Sequence, residues 1–186
     1  MLSDGDKDRK TMKTIFAVIF VLALSFLTTM PVPAQSKLQL AAVKGSSQVK
    51  LIFGKRSVKV DLDEVLGGSN GSLAGDPPHT YKVLFTAEKS GYLYLVAKVC
   101  SASPITNPNA PCGGDNPCAI LWIKANKTLK EKEFRSEIYE SCSFNYYDSK
   151  VKLIRAGLKI NYGGSEKKEM TYDNAQPEKG LVVIQK

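Results

Sequence analysis

The stretches YLYLVAKVC, Tyr92–Cys100, and CAILWIKA, Cys118–Ala125, decide how this chain is read. Both are rich in β-branched, aromatic and other apolar residues, which suit a pleated strand. Between them lie the seventeen residues Ser101–Pro117, with four prolines, three asparagines and two glycines. A connection longer than about 12–15 residues is uncommon without structure of its own, unless it has work to do or is disordered. Three of the four cysteines, Cys100, Cys112 and Cys118, sit in or beside this crossing.

Outward from there the same pattern recurs. Strands are predicted at Gln48–Phe53, Ser57–Leu62, Tyr81–Ala87, Leu129–Cys142, Lys150–Tyr162, Glu169–Tyr172 and Gly180–Gln185. Turn-forming residues separate them. Nothing resembles the alternating strands and long helices of a parallel sheet, and no repeat of fixed period occurs. The fold class expected is all-β: a single antiparallel β-sandwich or barrel-like domain following an N-terminal signal helix.

Two segments need a decision. In Leu129–Cys142, Phe134, Ile138 and Cys142 recur every four residues, as on a helix, but their numbers are all even, as on one side of a strand. Asn126-Lys127 before them reads as a tight hairpin turn, because Asn tolerates positive φ, and this favours the strand. In Lys150–Tyr162 the apolar side changes from odd to even positions. A bulge or tight turn near Arg155-Ala156-Gly157 explains the change.

The N-terminus has the three-part layout of a secretory signal peptide. Lys7, Arg9, Lys10 and Lys13 precede the apolar run Ile15–Leu27, and Val32-Pro33-Ala34 presents a cleavage site after Ala34. Thirteen residues of helix span about 20 Å, short of a hydrocarbon core of roughly 30 Å. Residues 1–34 are therefore expected to be a signal peptide, with Met12 a possible true start. Residues 35–186 are expected to be a disulfide-bonded β domain, secreted or periplasmic, with no stable membrane span after cleavage.

The chain has 186 residues and a formal charge of +8, most of it lysine. Excess lysine on an exported protein suits solubility and anionic surfaces. An anionic envelope polymer, a glycan or another exported protein are the partner classes this suggests. The lysines alternate with glutamates, and no Arg/aromatic cluster appears, so no nucleic acid is expected.

Four cysteines on an exported chain imply two disulfides. Cys100, Cys112, Cys118 and Cys142 lack the paired spacing of a zinc site, and the one histidine, His79, is remote in sequence. No metal and no cofactor is expected. If consecutive strands run up, down and up, all four thiols gather at one rim. A hairpin at Asn126-Lys127 aims Cys142 near Cys112, yet Cys112–Cys118 closes a small local ring. The pairing preferred is Cys112–Cys118 with Cys100–Cys142.

No catalytic signature stands out. A serine triad needs a histidine base, and His79 lies in a Gly- and Pro-rich loop, Gly67–Thr80. Asp61, Asp63, Glu64, Glu137 and Glu140 supply a carboxylate pair for a glycan hydrolase only by chance. Asp61, Asp63 and Glu64 lack a calcium-loop pattern. Asn70 and Asn126 open glycosylation triplets that matter only in a eukaryotic host. Tyr92, Tyr94, Trp122, Tyr139, Tyr146 and Tyr147 are candidates for a sugar-stacking platform, against the commoner role of strand aromatics as core.

The function expected is non-catalytic: a binding or structural role in the cell envelope or extracellular space. The candidate binding rim comprises Thr106, Asn107, Asn109, Asp115, Asn116, Tyr146 and Tyr147. A secreted protease inhibitor presenting the cross-linked 101–117 loop is the alternative, and a carboxylate hydrolase stands behind it.

Overall fold

In the computed structural model every predicted strand forms, all in antiparallel pairs. The structure describes residues 37–44, 46–66, 80–101, 117–141, 145–164 and 167–186. The proposed signal segment, His79, Asn70, Cys112, Cys142 and the rim residues Thr106, Asn107, Asn109, Asp115 and Asn116 lie outside the described residues.

Eleven strands build three sheets among the described residues. The first sheet holds β1 (Gln39–Ala42), β2 (Gln48–Phe53) and β3 (Arg56–Asp61), in that order. A short helix, α1 (Leu62–Leu66), follows it. The second holds β4 (Thr80–Lys89), β5 (Tyr92–Cys100), β6 (Cys118–Asn126) and β7 (Lys132–Glu140), also in chain order. The third holds β8 (Lys150–Ile154), β9 (Gly157–Asn161), β10 (Lys168–Asp173) and β11 (Val182–Gln185), ordered β11-β10-β9-β8. Among the described residues no barrel closes; the fold is sandwich-like with three sheets.

The second sheet is central, because it carries apolar side chains on both faces. Leu93, Leu95, Ala97 and Val99 on β5, with Ala119, Leu121, Ile123 and Ala125 on β6, pack against Val49, Leu51 and Val60 of the first sheet. Tyr94 and Val96, with Ile120 and Trp122, point the other way and pack against Leu158, Ile160, Met170 and Tyr172 of the third sheet. This is why the two strands read as nearly continuous apolar runs: a strand buried on both faces has no polar side to show. Phe134 and Ile138 of β7 join the first cluster, so they share a strand face, and the strand reading of 129–142 holds over Lys132–Glu140.

Local sequence explains the joints. The parity change in Lys150–Tyr162 is a tight turn: β8 and β9 form a hairpin in which Ile154 pairs with Gly157 across Arg155 and Ala156. Gly157 is required there, since a Cβ would lie 1.9 Å from the Tyr172 carbonyl oxygen. On β4 the register shifts between Val83 and Phe85, which moves the apolar side from Tyr81 on the first cluster to Phe85 and Ala87 on the second.

The turn between β6 and β7 differs from the expected Asn126-Lys127 hairpin. Asn126 N–H donates to Glu131 O at 3.1 Å, and Asn126 Oδ1 accepts from Thr128 Oγ1 at 2.8 Å and Lys130 N–H at 3.1 Å. The positive φ, 59°, falls on Leu129, not on Asn126. Leu129 buries its side chain in the first cluster, and that burial offsets the strain of a left-handed conformation. The loop is therefore longer than two residues, and Ala125 pairs with Lys132.

Candidate functional site

The cysteine-bearing rim is built by the ends of β4, β5, β6 and β7. Cys100 closes β5 and Cys118 opens β6, and they are register partners. The next pair outward, Ser101 and Pro117, is hydrogen-bonded, with Ser101 N–H donating to Pro117 O at 3.0 Å. Cys100 and Cys118 therefore form a non-hydrogen-bonded pair, in which side chains approach most closely. Their Cα atoms are 4.1 Å apart, and the two sulfurs are bonded.

This corrects the expected connectivity. Neither Cys112–Cys118 nor Cys100–Cys142 forms, because the β5–β6 ladder itself brings Cys100 to Cys118. The preference for a small local ring overlooked that β5 ends at Cys100 directly opposite the start of β6 at Cys118. In the register observed, Cys118 faces Glu140. The disulfide still fastens the crossing: it closes the whole of Ser101–Pro117 at its base.

Other groups meet at the same end of the sheet. Thr80 pairs with Cys100, and its Oγ1 donates to Cys100 O at 3.3 Å. Thr80, the first residue of β4, thus lies beside the base of the crossing, a neighbour that sequence reasoning missed. Ser141, just past β7, forms an isolated bridge with Tyr146, with bonds of 2.7 and 2.8 Å. Ser149 Oγ donates to Tyr139 O at 2.5 Å and accepts from Gly163 N–H at 3.0 Å, tying this segment to both sheets.

Of the predicted rim residues that are described, Tyr146 is half-buried and Tyr147 is 48% exposed. Tyr146 stands edge-on to Tyr162 with centroids 5.0 Å apart. Lys168 Nζ lies 5.1 Å from its ring centroid and donates to its hydroxyl at 2.7 Å. Tyr162 in turn donates its hydroxyl hydrogen to Glu137 at 3.2 Å. Burial raises the Glu137 carboxyl above its ordinary range, while the Tyr162 bond and the Lys168 charge pull it back. Tyr139 is buried with no hydrogen-bond partner for its hydroxyl among the described residues, and its pKa is pushed up to about 12, by burial first and the Glu140 charge second.

The aromatic platform does not form. Tyr94, Trp122 and Tyr139 are core residues, 1%, 0% and 2% exposed. Tyr92 lies at the other end of the sheet, with Lys124 Nζ 4.6 Å over its ring. Together with Glu131, Lys132 and Glu133 these two line a shallow hollow of about 190 Å³. Tyr92 and Tyr94 do share a face, as their common parity implied.

The acidic candidates separate as well. Asp61 accepts from Ser47 Oγ at 3.2 Å and from Asp63 N–H at 3.0 Å, so it starts α1 as a capping residue. It belongs to the first sheet, while Glu137 is bonded to Tyr162, at the end of β9 in the third. Among the described residues no three His, Cys, Asp or Glu side chains converge as metal ligands. No helix among them is long and apolar enough to cross a membrane. No family model, curated protein or solved structure matches the chain.

Proposed function

We propose that this protein is an exported, non-catalytic module with a binding or structural role outside the cytoplasm, and that its working surface is the rim from which Ser101–Pro117 is presented. The observation that carries this reading is the Cys100–Cys118 bond at the base of the crossing. A disulfide fits an oxidising compartment, as the basic and apolar leader does. Holding the base narrows the freedom of the crossing, and Pro104, Pro108, Pro111 and Pro117 narrow it further. A stiffened segment loses less entropy when it meets a partner. Cys112 and Cys142 are then left to pair with each other by elimination.

The test compares the intact protein with a variant lacking Thr106–Asn109, each immobilised and exposed to the exported protein and polymer fraction of the source organism. The intact protein is expected to retain a partner that the variant loses, with the two thermal midpoints nearly equal. Equal retention by both, or retention by neither, overturns the assignment of the rim.

A further inference from the structure

Among the described residues the third sheet has two unpaired edges of unusual composition. Of the eight large apolar residues exposed among the described residues, six lie on its two edge strands: Val151, Leu153 and Ile154 on β8, and Val182, Val183 and Ile184 on β11. Every residue of both strands is exposed, while the strands between them carry the core residues Leu158, Ile160, Met170 and Tyr172. Edge strands are commonly kept short, charged or covered, because an open ladder recruits further strands. β8 carries charge in Lys150 and Lys152; β11, Val-Val-Ile-Gln, carries none.

Those two chemistries are complementary. Setting β8 against a second β8 in its central register puts Lys152 opposite Lys152, which is unfavourable. Setting β11 against β11 leaves β8, with Leu153 at 54% exposure, uncovered. Setting β8 against β11 covers both edges and opposes no like charges.

The topology permits this pairing. The sheet has four strands, each antiparallel to its neighbour. With an even number, the β11 of a following copy runs antiparallel to β8, so the alternation continues across the junction. The faces also match. Leu153 pairs with Leu158 and Val183 with Met170, on the core-facing side, whereas Ile154 pairs with Gly157 and Val182 with Thr171, on the outer side. A register with Val151 opposite Val183 sets Lys152 opposite Val182, Lys150 opposite Ile184 and Asp148 opposite Lys186, and keeps every side chain on its proper face.

We infer that the β8 and β11 edges of the third sheet form a head-to-tail interface between copies of this chain, with the occupant of each β8 edge being the β11 strand of the next copy. Such a contact is heterologous: it does not close at two subunits and extends into a chain or ring. It is small, so the association is weak and shows itself at high local concentration. It lies on a different sheet from the cysteine rim and stands or falls separately from the proposed function.

Sedimentation equilibrium of purified protein from about 10 µM to about 1 mM, a range in which interfaces this small begin to associate, tests the inference. Two exposed-site variants, Leu153→Lys and Val183→Lys, are measured alone and mixed, with circular dichroism midpoints as a check on folding. The weight-average mass of the unmodified protein is expected to rise past the dimer. Each variant alone stays monomeric, and their equimolar mixture stops at the dimer, since one intact β8 meets one intact β11. A monomeric unmodified protein at the highest concentration overturns the inference. So does self-association of either variant alone, which would mean like edges pairing with like.

Discussion

The indole N–H of Trp122 donates to the carbonyl oxygen of Pro177 at 2.9 Å, across fifty-five positions of sequence. Trp122 is fully buried at the middle of β6, and Pro177 begins the 3-10 turn Pro177–Lys179 between β10 and β11. The guanidinium of Arg135 stacks over the indole at 5.1 Å. One side chain thus joins the central sheet to the third, through a polar atom that would otherwise be buried alone.

Trp122→Phe keeps most of the ring and removes that bond. Pro177 O retains the bond from Gly180 N–H, so its carbonyl is not orphaned. The expected loss is about 1–3 kcal/mol, combining one hydrogen bond with a small cavity. Urea unfolding should show a lower midpoint at unchanged slope. An unchanged midpoint contradicts the role given to the indole.

Gly157→Ala should be strongly damaging, since Gly157 is buried at the start of β9. The added methyl would lie within 1.9 Å of Tyr172 O, which is backbone and cannot swing away. A loss of roughly 2–4 kcal/mol is expected, since β9 must move from β10. Gly91→Ala is the control. Its φ is +80°, but nothing lies within 4 Å, so only the conformational cost of about 1–2 kcal/mol applies.

Glu137 and Glu169 should give opposite pH signatures. The Glu137 carboxyl is raised in the folded protein, chiefly by burial. The folded state therefore holds that proton more tightly than the unfolded state does. Stability from this group is full below the ordinary value of 4.5 and is lost as pH rises through the higher folded value. Glu169 is lowered by hydrogen bonds from Lys159 and Lys186. Its contribution is present above 4.5 and lost as pH falls through the folded value. Glu137→Gln should leave neutral-pH stability equal or higher, whereas Glu169→Gln should lower it. Denaturant midpoints at pH 4 and pH 7 check both signs.

Much of this fold was legible because strands need only local chemistry to be seen. β2 and β5 occupy the stretches read for them, and the parity change in Lys150–Tyr162 located the β8–β9 turn. β1 was missed because Gln39–Ala42 is only four residues long and ends in two alanines, which are depleted in strands. The third sheet was missed because the nearly continuous apolar runs of β5 and β6 mark burial on both faces but do not say which strands cover each face. The site was less legible. Connectivity among Cys100, Cys112, Cys118 and Cys142 turned on the β5–β6 register, which opposes Cys100 and Cys118, whereas sequence spacing alone favours the shorter Cys112–Cys118 ring. The tyrosines carry no mark of their fate: Tyr139 is core and Tyr147 is surface, and only packing separates them.

Removing the disulfide by Cys100→Ala with Cys118→Ala frees a chain segment with a sequence separation of 18. In the chain-entropy picture this costs about 3 kcal/mol. For a domain of this size the thermal midpoint should fall by on the order of 10 °C. A fall of a degree or less would mean that the rim is held by other contacts.

The most direct measurement is a peptide map of native, unreduced protein by mass spectrometry. A rim that clamps the crossing at its base yields one linked peptide pair containing Cys100 and Cys118, and a second containing Cys112 and Cys142. Linkage of Cys112 to Cys118, linkage of Cys100 to Cys142, or free thiols at Cys100 and Cys118 would contradict the account.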